Sequence, residues 1–472
     1  MKNIHFIGIG GIGISALAKY YLAKGYKITG SDLVTSEITQ DLKAKGVKIC
    51  ISHKTENLPK EVDLVIYSPA VQKNNPELKE AEKFGIKCQS YPQALGELTK
   101  QHFTIAVSGT HGKSTTTAML GLLLEKAGFD PTVIVGTKLS EFGNSNLRIG
   151  ETKNYLVIEA DEWQASFLNY WPKIIILTNI EMEHLDYFKD LNHILKTYQK
   201  YIGHLPDDGI LVANKDDKNI LKLIKNKKPR RSRVTTLRDR QKTIFFSLKQ
   251  KEAKKLKKIL KVPGEHNASD ALAALTVARA LKIPDKISFK SLSEYRGSWR
   301  RFEMKKIKIN KKHITVISDF AHHPTEIKNT LKAIREKFGK RKIWCVYQPH
   351  QYQRTFYLFN NFVKIFKESL RQAQDKSPVD KLIITDIYDV AGREEKRIKE
   401  KVSAEKLIEK IKKPQAFYLP KEKIIGYLKK NLQGGEILII MGAGDIYKLV
   451  EEINLFSTLH CDSGLWTIRF LT

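Results

Sequence analysis

Gly109-Thr110-His111-Gly112-Lys113-Ser114-Thr115-Thr116 is the stretch that decides the fold. It follows a short apolar, β-rich run, Phe103-Thr104-Ile105-Ala106-Val107, and precedes a helix-like run, Thr117-Ala118-Met119-Leu120-Gly121-Leu122-Leu123-Leu124. A strand, a glycine-bearing loop and a helix N-terminus together make an anion cradle, because unpaired backbone N–H groups and the helix dipole both favour negative charge there. A lysine placed like Lys113 reaches β- and γ-phosphate oxygens, and a hydroxyl placed like Ser114 can hold Mg²⁺. The usual P-loop has a glycine where Val107 stands, so this is a shortened GTHGKS form. A Gly-Lys-Ser turn by itself says little. With the strand before and the helix after, the stretch predicts a central P-loop α/β domain that binds ATP. Gly109, Thr110, His111, Gly112, Lys113, Ser114 and Thr115 then surround the phosphates.

On the N-terminal side, residues 1–100 alternate strand-like and helix-like segments: Lys2–Ile9, Ile14–Lys24, Tyr26–Ser31 and Asp63–Ser68. This βα punctuation predicts a parallel sheet. Gly8-Ile9-Gly10-Gly11-Ile12-Gly13 fills the first strand-to-helix turn and fits GxGxxG, and Asp32 ends the second strand. That is the dinucleotide-fold pattern, with the acidic side chain able to bond a ribose hydroxyl. It supports a site for a nucleotide diphosphate without saying which nucleotide, and an NAD-binding domain is the competing reading.

On the C-terminal side, Tyr155–Ala160 and Lys173–Asn179 are apolar strand candidates that run into Glu159-Ala160-Asp161-Glu162 and Thr178-Asn179-Ile180-Glu181-Met182-Glu183-His184. Ligands gather at the carboxyl ends of strands in open α/β sheets, so both polar clusters are expected to face the phosphate loop. Glu159 and His184 are metal-ligand candidates beside Ser114. Oxygen ligands suit Mg²⁺, and a histidine suits Mn²⁺ as well. Asp161 and Glu162 read equally well as a helix cap and first-turn charge.

Pro263-Gly264-Glu265-His266-Asn267 leads into an alanine-rich helix, Ala268–Leu281, and Trp299-Arg300-Arg301-Phe302 closes the central unit. A third α/β unit begins near Ile314, with strands Ile314–Ile317, Ile343–Tyr347, Leu382–Thr385 and Ile437–Met441. His322, His323 and His350 all follow strands of this one sheet, which predicts a shared cleft. Glu368–Lys381 reads as a polar surface loop, and after Ile453 the pattern stops.

The chain has 472 residues, enough for about two to four domains. Lys and Arg number 82 against 51 Asp and Glu, a net charge of +31. Basic residues are spread along the chain with a local excess from Lys222 to Lys261. Aromatic residues are not interleaved there, so a base-stacking surface is not indicated. The four cysteines, Cys50, Cys88, Cys345 and Cys461, show no CxxC spacing, which fits a reduced, cytoplasmic enzyme. No apolar run reaches the roughly 18 residues of a membrane span, and no signal peptide is evident.

These motifs resemble those of the Mur ligases, ATP-dependent amide-forming enzymes of peptidoglycan synthesis. The likeness runs from about Met1 to Val450. It rests on Gly8–Gly13, Gly109–Thr117, Glu159–Phe167, Thr178–Asp186, Gly264–Asn267, Arg300–Phe302, Asp319–Glu326, Gln348–Arg354 and Met441–Ile446, in family order and at family-like spacing. The resemblance implies three α/β domains: a Rossmann-like UDP-sugar domain over 1–100, the ATP domain over 101–303 and a Rossmann-like amino-acid domain over 304–453. A tail over 454–472 has no assigned role.

The resemblance also implies a reaction. ATP phosphorylates the lactyl carboxylate of UDP-N-acetylmuramate, and the amine of L-alanine attacks the acyl phosphate. Carried over by position, Lys113 stabilises the transferring phosphoryl group. Ser114, Glu159 and His184 bind metal, His266 and Asn267 lie at the adenine, and Asp319 lies at the ribose. Arg301 and Arg354 neutralise phosphate charge. His322 and His350 lie near the amino acid. Gly8, Gly10, Gly11, Gly13, Ser31, Asp32 and Ser68 line the UDP-sugar site. The implied partners are these small molecules, with no nucleic acid and no membrane insertion, for a monomer or homodimer.

The family commonly has Tyr at the position of Phe320, Arg at Gln351 and Asp at Glu183. Phe320-Ala321 is shared with the related ligase that recycles a ready-made tripeptide, which is the alternative reading. A basic nucleotide-binding protein acting on nucleic acid is the remote one.

Overall fold

A computed structural model of the protein describes residues 2–152, 154–185, 187–225, 241–309, 312–370, 379–390 and 396–458. The chain divides at Trp299/Arg300 into two compact units. The first unit carries two sheets and the second carries one.

The N-terminal sheet comprises β1 (Asn3–Ile7), β2 (Lys27–Asp32), β3 (Lys48–Ile51), β4 (Leu64–Tyr67) and β5 (Lys87–Ser90), in the order β3-β2-β1-β4-β5 and all parallel. The strand order reverses between β1 and β4, and the loop after β1 opens at that switch point. Sheets of this kind bind ligands there. β3 and β5 are short edge strands in which only Ile49 is buried, too weakly patterned to stand out in the sequence.

The second sheet comprises β6 (Phe103–Ser108), β7 (Thr132–Leu139), β8 (Ser145–Arg148), β9 (Tyr155–Glu159), β10 (Ile174–Leu177), β11 (Ile210–Asn214) and β12 (Lys242–Phe246), in the order β12-β11-β10-β6-β9-β7-β8. Only β8 runs antiparallel. Helices cover both faces, so the central strands are largely apolar; every residue of β10, Ile-Ile-Ile-Leu, is buried. Helix Lys113–Lys126 follows β6 directly and is buried from Ser114 to Leu124. It packs against helix Glu265–Ala280, whose alanines allow close approach.

The second unit holds β13 (Glu303–Ile309), β14 (Lys312–Asp319), β15 (Ile343–Tyr347), β16 (Lys381–Ile384), β17 (Ala416–Tyr418) and β18 (Ile437–Met441), in the order β13-β14-β18-β15-β16-β17. β13 is antiparallel to β14 and the rest are parallel. Arg300 and Phe302, read from sequence as the close of the central unit, bind into this one. Arg300 donates to the carbonyls of Gly442 and Gly444 at 2.6 and 2.9 Å, and Phe302 N–H donates to Asp319 at 2.9 Å.

The stretch read as a loop from Glu368 to Lys381 lies largely outside the described residues, 371–378. Its ends are a helix terminus and the start of β16. The last helix continues past Ile453 to Thr458, and the remainder of the tail, with Cys461, lies outside the described residues. Cys50, Cys88 and Cys345 are free thiols. Among the described residues no helix is long and apolar enough to cross a membrane.

Candidate active site

The loop between β6 and helix Lys113–Lys126 is shaped by the segment after β10. Thr110 N–H donates to the Asn179 carbonyl at 3.0 Å, and His111 N–H donates to the Asn179 side chain at 2.9 Å. The Thr178 hydroxyl and the Asn179 amide both donate to the His111 carbonyl, at 2.6 and 3.0 Å. Glu181 N–H donates to the Thr110 hydroxyl at 2.8 Å. Adjacent strand ends therefore hold one another, as expected of β6 and β10 in parallel register. Gly112 caps the helix in the left-handed region, φ 83°, and a Cβ there would lie 2.4 Å from an Asp270 carboxylate oxygen. A side chain is thus excluded twice, by conformation and by space.

Lys113 folds back over this loop. Its ammonium donates to the Gly109 carbonyl at 2.7 Å, the Thr110 carbonyl at 3.3 Å and Glu162 at 2.9 Å. Burial alone lowers the ammonium pKa, but the charges of Glu162 and Asp161 outweigh it and raise the pKa above its ordinary value. The cation is therefore secure at neutral pH. Burial pushes the Glu162 carboxyl up, Lys113 opposing. Asp161 is held below its ordinary value: burial works against this, and Lys113 and His184 prevail.

His184, in a left-handed backbone conformation at φ 55°, lies with Asp161 and Glu162 so that one ligand atom of each falls within 4.8 Å of the others. Glu159 stands at the end of β9, next to β6, and accepts from Gly136 N–H. Ser114 and Thr115 are buried in the first turn of the helix. His266 and Asn267 open helix Glu265–Ala280, one turn before Asp270, which abuts Gly112. Asn267 donates to the Pro263 carbonyl at 2.6 Å and contacts His266 at 3.1 Å.

The N-terminal sheet presents its own loop. Gly8 and Ile9 N–H both donate to the Ser31 carbonyl, at 2.8 and 3.0 Å. Gly10 N–H donates to Asp32 at 2.8 Å. Ser68 stands opposite Gly8, with 3.0 Å from its Cβ to where a Gly8 Cβ would be. A Cβ on Gly13 would meet the Tyr91 ring at 3.0 Å, so the helix Ile12–Ala23 depends on that glycine to seat itself. Ser31 lies behind this loop: it is fully buried, and its hydroxyl donates to Glu77.

In the second unit, His322 and His350 come together with ring centroids 5.8 Å apart. Arg354 donates to Nδ1 of His350 at 3.0 Å and to its carbonyl at 3.1 Å. Arginine has only donors, so Nδ1 accepts and the imidazole carries its proton on Nε2. His350 also stacks on Tyr388, 5.5 Å between centroids. His323 is not part of this cluster. It is buried as the cap of helix Pro324–Phe338, and its ring accepts from Thr325 N–H. Asp319 spends its carboxylate on Phe302, Ala321 and Thr330. Arg300 and Arg301 both lie over the Phe320 ring, at 4.8 and 5.1 Å. Gln351 adopts φ 71° at the start of helix Tyr352–Tyr357, its N–H bonded to the Tyr388 carbonyl.

Three sequence patterns cover nearly the whole chain. The Mur ligase family, catalytic domain matches residues 3–103; the Mur ligase middle domain matches 107–278; and the Mur ligase, glutamate ligase domain matches 300–444. The chain belongs to the Mur ligase family. A UDP-N-acetylmuramate–L-alanine ligase of Acetivibrio thermocellus is 42% identical over 467 residues, 95% of either chain. One from Clostridium botulinum (strain Langeland) is 40% identical over 469 residues, covering 96% of this chain and 98% of its own. Among solved structures, a UDP-N-acetylmuramate-alanine ligase from Thermotoga maritima aligns with a TM-score of 0.76 at 25% identity, over 97% of this chain and all of that one. A murein peptide ligase from Psychrobacter arcticus shares the fold, with a TM-score of 0.69 at 22% identity over 98% of this chain and all of its own. As in these relatives, the Mur ligase fold here is three-domain α/β.

Sequence reasoning about this Mur ligase missed Asp270 and undervalued Glu162. Asp270 lies within an alanine-rich helix and carries no motif. Glu162 reads locally as a cap, yet no capping hydrogen bond is made by its side chain. Its burial beside Lys113 is visible only in three dimensions.

Proposed function

We propose that this chain is an ATP-dependent ligase that joins L-alanine to the lactyl carboxylate of UDP-N-acetylmuramate, in peptidoglycan precursor synthesis. The observation that carries the reading is the phosphate cradle. Lys113 stands at a helix N-terminus with a charged ammonium, beside the Asp161, Glu162 and His184 group, in a chain 42% identical end to end to a relative named for this reaction.

The chemistry follows from what a carboxylate lacks. It is a poor acylating agent because oxide is a poor leaving group. Attack of a lactyl carboxylate oxygen on the γ-phosphorus forms an O–P bond and releases ADP. The resulting acyl phosphate is opened by the neutral amine of L-alanine, a C–N bond forms, and phosphate leaves. The protein's part is positioning and charge neutralisation. Lys113 and the N–H groups at the start of its helix hold the γ-phosphoryl oxygens, with His266 and Asn267 at the adenine. Asp319, the ribose candidate, is committed instead to Phe302, Ala321 and Thr330, and Arg301 and Arg354 are the second unit's candidates to offset phosphate charge. His322 and His350 line the amino-acid site. Gly8, Gly10, Gly11, Gly13, Asp32 and Ser68 receive the UDP-sugar, in the cytoplasm.

The donor set fits Mg²⁺. Two carboxylates and an imidazole, with Ser114 in the first helical turn and Glu159 at the end of the strand paired to β6, gather more negative charge than Lys113 offsets. A divalent ion would neutralise that charge and the nucleotide's. Asp161, Glu162 and His184 would hold it, with Ser114 and Glu159. The test is a panel of amino acids and tripeptide with ATP and UDP-N-acetylmuramate, read by phosphate release. L-alanine should give the highest kcat/KM; preference for the tripeptide would favour the recycling reaction.

A further inference from the structure

Outside the phosphate cradle, one fully buried carboxylate draws donors from separate stretches of chain. Glu77, near the start of helix Pro76–Lys83, is 0% exposed. It accepts from Ser31 Oγ at 2.7 Å, His5 Nε2 at 2.8 Å, His53 Nδ1 at 2.8 Å and Asn57 Nδ2 at 3.3 Å. The other ring nitrogen of His5 lies 2.8 Å from Thr29 Oγ1. A charge is buried only when it is well paired, and this one is paired from β1, β2 and the segment after β3.

What distinguishes the cluster is where it pulls. Ser31 is tied through both side chain and backbone, its hydroxyl also lying 3.2 Å from His53 Nδ1. Its hydroxyl is held by Glu77, and its carbonyl holds the N–H groups of Gly8 and Ile9. The next residue, Asp32, holds the N–H of Gly10. The loop 8–13 contains four glycines, so its own conformational preferences are weak. Its shape is imposed from behind.

We propose that Glu77 is a positioning residue for the diphosphate site of the N-terminal sheet. Through Ser31 it fixes the first turn of the Gly8–Gly13 loop before ligand arrives, so the backbone donors need not be ordered at binding. This rests on the reading of that loop as the UDP-sugar site. Ser31 then contributes as the link between carboxylate and loop rather than as a ligand contact.

The test compares Ser31→Ala and Glu77→Gln with the wild-type full chain. Ser31→Ala cuts the link while leaving Glu77 its remaining donors. It should raise KM for UDP-N-acetylmuramate about tenfold, the loss of one well-placed hydrogen bond, with KM for ATP and kcat changed less than about threefold. Glu77→Gln keeps an acceptor for Ser31 and should give a smaller rise in the same constant. A merely structural role would move both Michaelis constants together or neither. An unchanged UDP-sugar KM in folded Ser31→Ala, or equal rises for both substrates, overturns the inference. Should Ser31→Ala fail to fold, Glu77→Gln is read by the same criterion. Failure of the wild type to bind UDP-N-acetylmuramate by calorimetry would overturn the site reading and the inference with it. Wild-type binding with an indifferent variant overturns the inference alone.

Discussion

The Lys113 ammonium and a Glu162 carboxylate oxygen lie 2.9 Å apart, with the Glu162 side chain only 3% exposed. The cation proposed to meet a phosphate is therefore already neutralised, and an arriving phosphoryl group competes with a buried carboxylate for it. That competition supports the proposal of a divalent cation in the site: without one, the incoming charge would face Asp161 and Glu162 uncompensated.

Lys113→Ala should reduce kcat about a thousandfold or more, the typical scale for removing a charge from a transferring phosphoryl group. It should also lower the melting temperature, because Glu162 is left buried without its partner; breaking such a pair costs about 3–5 kcal/mol when the remaining group stays ionised. Lys113→Ala with Glu162→Gln should recover the melting temperature and none of the activity. Retention of more than about a tenth of the activity by the single variant would refute the role of this loop, on the scale of electrostatic stabilisation expected at such sites.

Ligation should require a divalent metal, and His184→Ala should shift the Mg²⁺ titration of the rate to concentrations at least about tenfold higher, as loss of a ligand does. Glu162→Gln should shift it in the same direction. Activity in the presence of a chelator, or superimposable titrations, would remove Asp161, Glu162 and His184 from the metal site.

The central strands of each sheet and the two glycine loops were legible in the sequence because their signals are local: an apolar run, a turn and a helix start within about a dozen residues. Gly8–Gly13 and Gly109–Lys113 stand where that reading put them, each between a parallel strand and a helix. What was not legible depends on distant partners. His5, Ser31, His53 and Glu77 share no spacing, and only the fold brings them together. Asp270 reads as one polar residue in a helix until Gly112 is seen against it. His323 illustrates the converse, a histidine beside a site residue that serves a helix cap.

Glu77 sets a pH dependence of stability whose sign can be worked out. Burial alone would raise its carboxyl pKa, but hydrogen bonds from His5, Ser31 and His53 outweigh burial and hold it below the ordinary value. A carboxyl lowered on folding stabilises above its unfolded pKa, near 4.3, and that contribution fades as pH falls through the folded value. The melting temperature should therefore drop on acidification below about pH 5, and the drop should be shallower in Glu77→Gln. Scanning fluorimetry in steps from neutral to acid reads this directly. Parallel curves for the two proteins would mean that Glu77 is not ionised in the folded state.

The ligand of the first loop is decided by a competition that a lone GxGxxG cannot settle. UDP-N-acetylmuramate should raise the melting temperature and NAD should not; ligand at about a hundred times its Kd contributes about 2.7 kcal/mol by mass action. Gly10→Val tests the geometry behind that shift. A Cβ at Gly10 would stand 2.8 Å from an Asp32 carboxylate oxygen and 3.0 Å from Thr39 Cγ2. Valine must therefore push Asp32 aside and break the hydrogen bond that Gly10 N–H donates to it. The UDP-sugar shift should vanish while the ATP shift, which depends on the Gly109–Ser114 cradle of a different sheet, remains. Loss of both shifts would mean that the variant had unfolded more than one loop, and Gly10→Ala, with a smaller intrusion, would then carry the comparison. A melting shift with NAD and none with the UDP-sugar in the wild type would assign the first domain to a different nucleotide.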